Sequence, residues 1–200
     1  MSSIGPAVLT AAVGYVLGSV PAAVLVARRR HVEIRSVGDH NPGFWNTKET
    51  FGFRASLPVL VVDAAKGALA AGVGLLAIRW WAPGSWWLAY VGGLAAMVGH
   101  AWPVFAGFRG GRCVLTFLGA FVTINPWPSL LTLAVGLAVL AVVRRFSLVA
   151  RVTVGALPVV LAFFVPRTHV AFTGFLMTLI GVRFAQAAFA DRRAAAAAAS

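Results

Sequence analysis

The residues best suited to chemistry in this sequence are arginines, amides and a histidine placed in or beside polar loops between long apolar runs. The most distinctive of these loops is residues 107–112, GFRGGR, and an apolar segment follows it directly. Glycines let a backbone approach a ligand, a helix N-terminus offers unpartnered N–H groups, and Arg109 and Arg112 add positive charge. This combination suits a phosphate. It equally suits a tight turn whose arginines only orient the chain in a membrane, and the sequence leaves both interpretations open.

A second polar segment, residues 28–54, holds three of the five acidic residues and lies between two apolar runs. Within it, the stretch VGDHNPGFWN ends at Asn46 and is rich in glycine, amides and aromatic residues. Gly43 allows unusual backbone angles and Pro42 fixes one, so the stretch can fold back and present Asn41 and Asn46 to a ligand. The alternative is a solvated linker that merely turns.

Two charged residues stand inside the second apolar run, and a histidine lies near the end of the third. Asp63 and Lys66 are three residues apart, so they share one face of a helix. Each costs about 3 kcal/mol at the centre of a membrane span, so we expect both to face the interior of the bundle. They form either a polar site or a structural pair. His100 is likewise either a reactive group or a buried structural donor.

The composition excludes a soluble domain of this size. Of 200 residues, 60% are apolar and 11% are charged, which is typical of an integral membrane protein. The net charge of +12 does not predict nucleic-acid binding, because the basic residues sit in short loops between spans. The sequence shows no metal-ligand spacing and predicts neither a metal nor another cofactor.

Seven apolar runs predict an all-α polytopic membrane bundle of about seven transmembrane helices. We expect residues 1–193 to form one transmembrane domain and the alanine-rich residues 194–200 to form a disordered tail. With Met1 outside and the C-terminus cytoplasmic, only Arg79 and Arg167 face the exterior. Both polar loops then lie on the cytoplasmic side, as the positive-inside rule requires. The runs are residues 4–27, 57–78, 87–105, 113–124, 129–143, 148–165 and 169–182. The fourteen basic residues assigned to the cytoplasmic side are Arg28, Arg29, Arg30, Arg35, Lys48, Arg54, Arg109, Arg112, Arg144, Arg145, Arg151, Arg183, Arg192 and Arg193.

Three segments in order, residues 18–46, 61–67 and 99–119, resemble the bacterial acyl-phosphate:glycerol-3-phosphate acyltransferase family. The third is the most specific, since its histidine, its Pro-Val-Phe and its Phe-Arg-Gly-Gly fall at the family's spacing. The resemblance implies transfer of an acyl chain from acyl phosphate to glycerol 3-phosphate, forming lysophosphatidic acid for phospholipid synthesis. It also implies a multi-pass protein of the bacterial inner membrane, in contact with membrane lipids and without a cofactor. The substrate-binding residues that it implies are Asn41, Gly43, Asn46, His100, Arg109, Gly110, Gly111 and Arg112.

The sequence departs from the family's pattern at its expected phosphate site. Asp39 replaces a serine that would contact phosphate, and Glu49 stands where the family tends to have an arginine. Near the C-terminus, Phe184 and Ala187 replace a histidine and an asparagine. In the glycine-rich loop, Arg112 keeps the charge of a family lysine. Two like charges 4 Å apart cost about 4 kcal/mol at an effective dielectric of 20. The two carboxylates are therefore expected to weaken an anion site.

Three functions fit these observations. The chain is an acyltransferase of this family; it is an inactive or redirected relative that binds lipid, acyl phosphate or a membrane partner without turnover; or it is a transporter using Asp63 and Lys66. The third is disfavoured, because the sequence shows no inverted repeat.

Overall fold

The computed structural model describes residues 2–144 and 146–199, with backbone alone at 146–151, 191, 194, 195, 198 and 199. The regular secondary structure of these residues is helical. The all-α membrane bundle predicted from composition is therefore confirmed. The helices are α1 (Ile4–Gly18), α2 (Ala22–Arg28), α3 (Phe44–Phe51), α4 (Phe53–Trp80), α5 (Leu88–Ala101), α6 (Val114–Ile124), α7 (Pro126–Val143), α8 (Phe146–Leu161) and α9 (Arg167–Ala199).

Within the described residues, five stretches are long and apolar enough to cross a membrane. Two shorter apolar helices, Val114–Ile124 and Val152–Leu161, fall in the two remaining predicted runs. The chain is thus built as a multi-pass membrane protein, while the number of crossings and their orientation stay predictions. Of the basic residues assigned to the cytoplasmic side, Arg145 and the side chain of Arg151 lie outside what the structure describes.

The first apolar run, predicted as one continuous span, is broken between α1 and α2. The break falls at residues 19–21, where Pro21 has no N–H to donate and so interrupts the helical hydrogen bonds. The carbonyl of Val20 accepts a hydrogen bond from Lys66 Nζ at 3.2 Å. The same oxygen also accepts from the backbone N–H of Ala22 at 3.2 Å, so the backbone and Lys66 together satisfy a carbonyl that lipid could not.

Small residues hold the central helices close together. On α1, a Cβ added to Gly14 or Gly18 would collide with the backbone of Gly92 or Ala96 on α5. A Cβ added to Gly67 on α4 would likewise collide with the backbone of α6. Such contacts are what small residues provide in membranes, where the packing of helices at short range replaces the hydrophobic effect.

The alanine-rich C-terminal segment differs from the disordered tail expected for it. The backbone of α9 stays helical through Ala199, since alanine has the highest intrinsic helix propensity and continues an existing helix at little cost. The division of the chain into one domain of 193 residues and a separate tail remains a prediction.

Candidate functional site

The two polar loops meet at one end of the bundle. Arg112 Nη1 of the second loop lies 2.8 Å from Asp39 Oδ2 of the first. Arg35 Nη2 also donates to the carbonyl oxygen of Ala106 at 3.1 Å. The convergence of these loops, expected from their shared side of the membrane, is confirmed.

The first loop is organised around a buried amide. Asn46 is fully buried, and its Nδ2 donates to the carbonyl oxygens of Ile34 at 3.0 Å and Val37 at 2.9 Å. Gly38 has φ 59°, and a Cβ there would collide with Asn46 Oδ1. The glycine is therefore required both by its backbone angle and by the amide packed against it. In this structure Asn46, predicted to bind substrate, shapes the loop from within.

Asn41 and Gly43 flank Pro42, which lines a cleft beneath the two loops. Both residues therefore lie beside this cleft. The backbone N–H of Asn41 donates to Asp39 Oδ1 at 3.2 Å, a local bond typical of a turn. Gly43 is the cap residue just before α3, and its carbonyl oxygen accepts from Thr47 Oγ1 at 2.9 Å. These bonds fix the backbone of both predicted site residues at the edge of the cleft.

In the second loop, the backbone N–H groups of Gly110 and Gly111 bond to the end of α5. Gly110 N–H donates to the carbonyl oxygen of Ala101 at 3.1 Å, and Gly111 N–H to that of His100 at 3.0 Å. A Cβ on Gly110 would collide with Pro103 and the carbonyl of His100, and a Cβ on Gly111 with the His100 imidazole. Glycine is required here because the loop lies directly on the end of α5.

Three ionisable side chains meet beneath this loop. Lys66 Nζ lies 2.8 Å from Asp63 Oδ1, and His100 Nδ1 lies 3.5 Å from the same oxygen. Their side chains are 5%, 3% and 8% exposed. Because Lys66 also donates to Val20, it both holds the α1–α2 break and compensates a buried carboxylate. The predicted pairing of Asp63 with Lys66 is confirmed, and the structure adds His100 to it.

A cleft connects this cluster to the two loops. The cleft is a concave surface lined by the α1–α2 break, the inner face of α4, the end of α5 and the second loop. Lys66 and His100 lie on its floor, and the exposed Arg109 lies at its edge. Two cations, Lys66 and Arg109, in or at the edge of one concave site favour an anionic ligand. The lining includes Val20, Pro42, Asp63, Lys66, His100, Arg109, Gly110 and Gly111.

The departures from the family's pattern take particular places around this cleft. Asp39 is not an isolated negative charge, because Arg112 pairs with it. Glu49 is exposed on α3 and does not line the cleft. Phe184 lies under Arg112, whose guanidinium carbon is 4.9 Å from the ring centroid, and Ala187 is partly buried on the same helix. The expected accumulation of two uncompensated carboxylates in the site is therefore not what the structure shows.

Two arginines that tie the site together were not among the predicted substrate-binding residues. Arg35 bonds the second loop, and Arg183 of α9 donates to the carbonyl oxygens of Gly110 and Gly111. No local pattern announces contacts over such sequence separations. In the part of the chain that the structure describes, no three His, Cys, Asp or Glu side chains are grouped so as to hold a metal ion.

Comparison with known proteins agrees with this architecture. The family model for glycerol-3-phosphate acyltransferase matches residues 8–189. The chain is 40% identical over 181 residues to the glycerol-3-phosphate acyltransferase of Laribacter hongkongensis, covering 86% of each chain. It is 38% identical to that of Thermus thermophilus over 176 residues, which covers 87% of this chain and 85% of the relative.

Two solved structures are also similar. The crystal structure of PlsY, an integral membrane glycerol 3-phosphate acyltransferase, in its glycerol 3-phosphate form superposes with a TM-score of 0.77 at 28% identity, covering 90% of this chain and 88% of that one. The lysophosphatidic acid form gives a TM-score of 0.73 at 27% identity, covering 88% and 87%. These matches confirm the resemblance inferred from the three sequence segments: the chain belongs to the glycerol-3-phosphate acyltransferase family.

Proposed function

We propose that this protein transfers an acyl group from acyl phosphate to glycerol 3-phosphate and releases lysophosphatidic acid and inorganic phosphate. The observation that carries the proposal is the cleft where Lys66, His100 and Arg109 converge beneath the two polar loops. Family membership supports the acceptor and the lipid product. The apolar helices of the bundle are compatible with a long-chain acyl donor and a lipid product.

The reaction needs little covalent chemistry from the protein. A hydroxyl oxygen of glycerol 3-phosphate attacks the acyl carbonyl carbon, a new C–O bond forms, and the bond from that carbon to the phosphate oxygen breaks. The hydroxyl proton ends on the released phosphate, so atoms and charge balance without an external base. Catalysis then depends on holding two anionic substrates in contact and on offsetting their repulsion, which is the work of fixed cations.

Three cations and one histidine in or beside the cleft fit this requirement. Lys66 has three N–H donors; two serve Asp63 and Val20, and the third is the one that a substrate oxygen can take. Arg109 can bind a phosphate with two parallel hydrogen bonds from the edge of the cleft. His100 offers a hydrogen bond beside the reacting groups. Arg112 reaches the same region while it is paired with Asp39.

The predicted loop residues take supporting roles in this proposal. Asn41 and Gly43 contact the substrate from the edge of the cleft, whereas Asn46 holds the loop in shape. Gly110 and Gly111 allow the second loop to lie against His100. We propose that the protein lies in the bacterial inner membrane with this site toward the cytoplasm, because this orientation would put most basic residues of the predicted loops on the cytoplasmic side.

The test is phosphate release by purified protein in lipid nanodiscs supplied with a long-chain acyl phosphate. We expect multiple turnovers that require glycerol 3-phosphate and yield lysophosphatidic acid. Arg109→Gln should lower kcat/KM about 10-fold or more, because a charged hydrogen bond contributes about 1.5–3 kcal/mol. The matched control is Glu49→Gln, an exposed site outside the cleft. Saturable lipid binding without phosphate release, across a broad panel of acceptors, would refute the proposal.

A further inference from the structure

Arg183 connects the last helix to the loop that covers the site. It lies on α9, which packs against α5, α6 and α8. Its Nη2 donates to the carbonyl oxygen of Gly110 at 2.8 Å, and its Nε to that of Gly111 at 3.1 Å. One planar guanidinium thus holds two successive carbonyl groups of the loop, a geometry that arginine can provide and lysine cannot.

The guanidinium is itself held in place. Arg183 Nη1 donates to Gln186 Oε1 at 2.8 Å, one turn along the same helix. The guanidinium carbon lies 5.3 Å from the centroid of the Trp102 ring, so the cation also stacks on an aromatic face. All three nitrogens of the group are therefore engaged with protein atoms. This arrangement suits a positioning residue and does not suit a side chain that turns to bind substrate.

The loop is fixed from both sides by this contact. The N–H groups of Gly110 and Gly111 bond to the end of α5, and their carbonyl groups bond to Arg183. The neighbouring residues on either side are Arg109 and Arg112, the two cations of the loop. Since glycine is the most flexible residue in the chain, a Gly-Gly pair without such restraint has many conformations to sample.

We infer that Arg183 is a positioning residue for acyl transfer: by holding the Gly110 and Gly111 carbonyls, it fixes Arg109 and Arg112 over the His100 floor of the cleft. The kinetic part of this inference rests on the proposed function. The structural part concerns the loop alone and is measurable without turnover.

The first experiment is hydrogen–deuterium exchange of the full-length protein in nanodiscs, read on peptides that cover residues 106–113. Arg183→Gln removes the charge and the forked geometry, and should speed exchange of the Gly110 and Gly111 amides about 10-fold or more. Arg192→Gln, an exposed change on the same helix, should leave exchange as in the parent.

The second experiment separates geometry from charge. We expect kcat/KM for glycerol 3-phosphate to fall about 10- to 100-fold in Arg183→Gln, on the scale of losing one or two charged hydrogen bonds. Arg183→Lys keeps the charge but loses the planar forked geometry, and should give an intermediate value. If Arg183 acted by charge alone, the lysine variant would match the parent.

The outcomes are distinguishable from failure of the proposed function. Faster loop exchange in Arg183→Gln with no turnover even in the parent would support the restraint and remove the acyltransferase assignment. Normal turnover in the parent, with parental exchange and kinetics in both Arg183 variants, would overturn the inference. Arg183→Gln is judged unfolded if it elutes as an aggregated, polydisperse sample in size-exclusion chromatography. In that case the comparison of kcat/KM and loop exchange between Arg183→Lys and the parent still decides the inference.

Discussion

The ion pair between Asp39 and Arg112 gives the sharpest prediction for substrate binding. The two atoms are 2.8 Å apart, and the side chains are 31% and 21% exposed. The carboxylate occupies one nitrogen of the arginine that follows Gly111, a residue that lines the cleft, so it competes with a substrate phosphate for that cation. Asp39→Asn keeps the size of the side chain and removes the charge.

The magnitude follows from Coulomb's law. A unit charge about 6 Å from Asp39 is repelled by about 3 kcal/mol at an effective dielectric of 20 and by about 0.7 kcal/mol in water. Since the carboxylate is partly exposed, we expect about 1–2 kcal/mol, or a KM for glycerol 3-phosphate lower by about 5- to 30-fold. The fold itself should lose less than about 1 kcal/mol, because exposed ion pairs contribute little.

The assay is the initial rate of acyl transfer against glycerol 3-phosphate concentration, at low and at high salt. The difference between Asp39→Asn and the parent should shrink as salt rises, because screening weakens the repulsion. Glu49→Gln also removes one negative charge, but outside the cleft, and should leave KM close to the parental value. An unchanged or higher KM in Asp39→Asn would refute the reasoning, and would make Asp39 a residue that orients Arg112 instead. The loops should stay together in either case, since Arg35 also joins them.

Three further changes test other parts of the site. Gly111→Ala should abolish activity, because the added Cβ would collide with the imidazole of His100. Gly72→Ala, whose added Cβ would meet open space, should keep activity, and activity measurements on the two variants check this. Lys66→Met should destabilise the protein by about 3–5 kcal/mol by leaving the buried Asp63 unpaired, which a shift of the thermal unfolding midpoint in detergent would reveal. Asp39→Ser should improve rescue of a strain lacking its own glycerol-phosphate acyltransferase, and no gain over the parent would indicate that this position does not limit activity.

Much of the site was accessible from local pattern. Asp63 and Lys66 sit three apart in an apolar run, and the cost of a charge in lipid predicts that they face inward together. The shared side of the two polar loops followed from the distribution of basic residues. The break after α1 was missed because the run is apolar throughout. The effect of Pro21 depends on whether Lys66 is near enough to donate a hydrogen bond to the carbonyl oxygen of Val20.

The roles of individual side chains in the loops could not be predicted. Asn46 and Gly111 were expected to meet a ligand, yet Asn46 satisfies the carbonyls of its own loop and Gly111 makes room for His100. A polar or glycine-rich pattern states what a residue can bond, but burial and neighbours decide which partner it takes.

The sequence alone determined that this is an α-helical membrane protein, which family it resembles and which polar residues must face one another, because the cost of exposing charge or backbone to lipid acts on each segment separately. Only the tertiary structure decided that Arg112 is paired with Asp39 and that Arg183 holds the glycine loop. The contact of Arg112 with Asp39 joins residues 73 positions apart, and those of Arg183 with Gly111 and Gly110 join residues 72 and 73 positions apart. No periodicity within a helix or loop carries information over such distances.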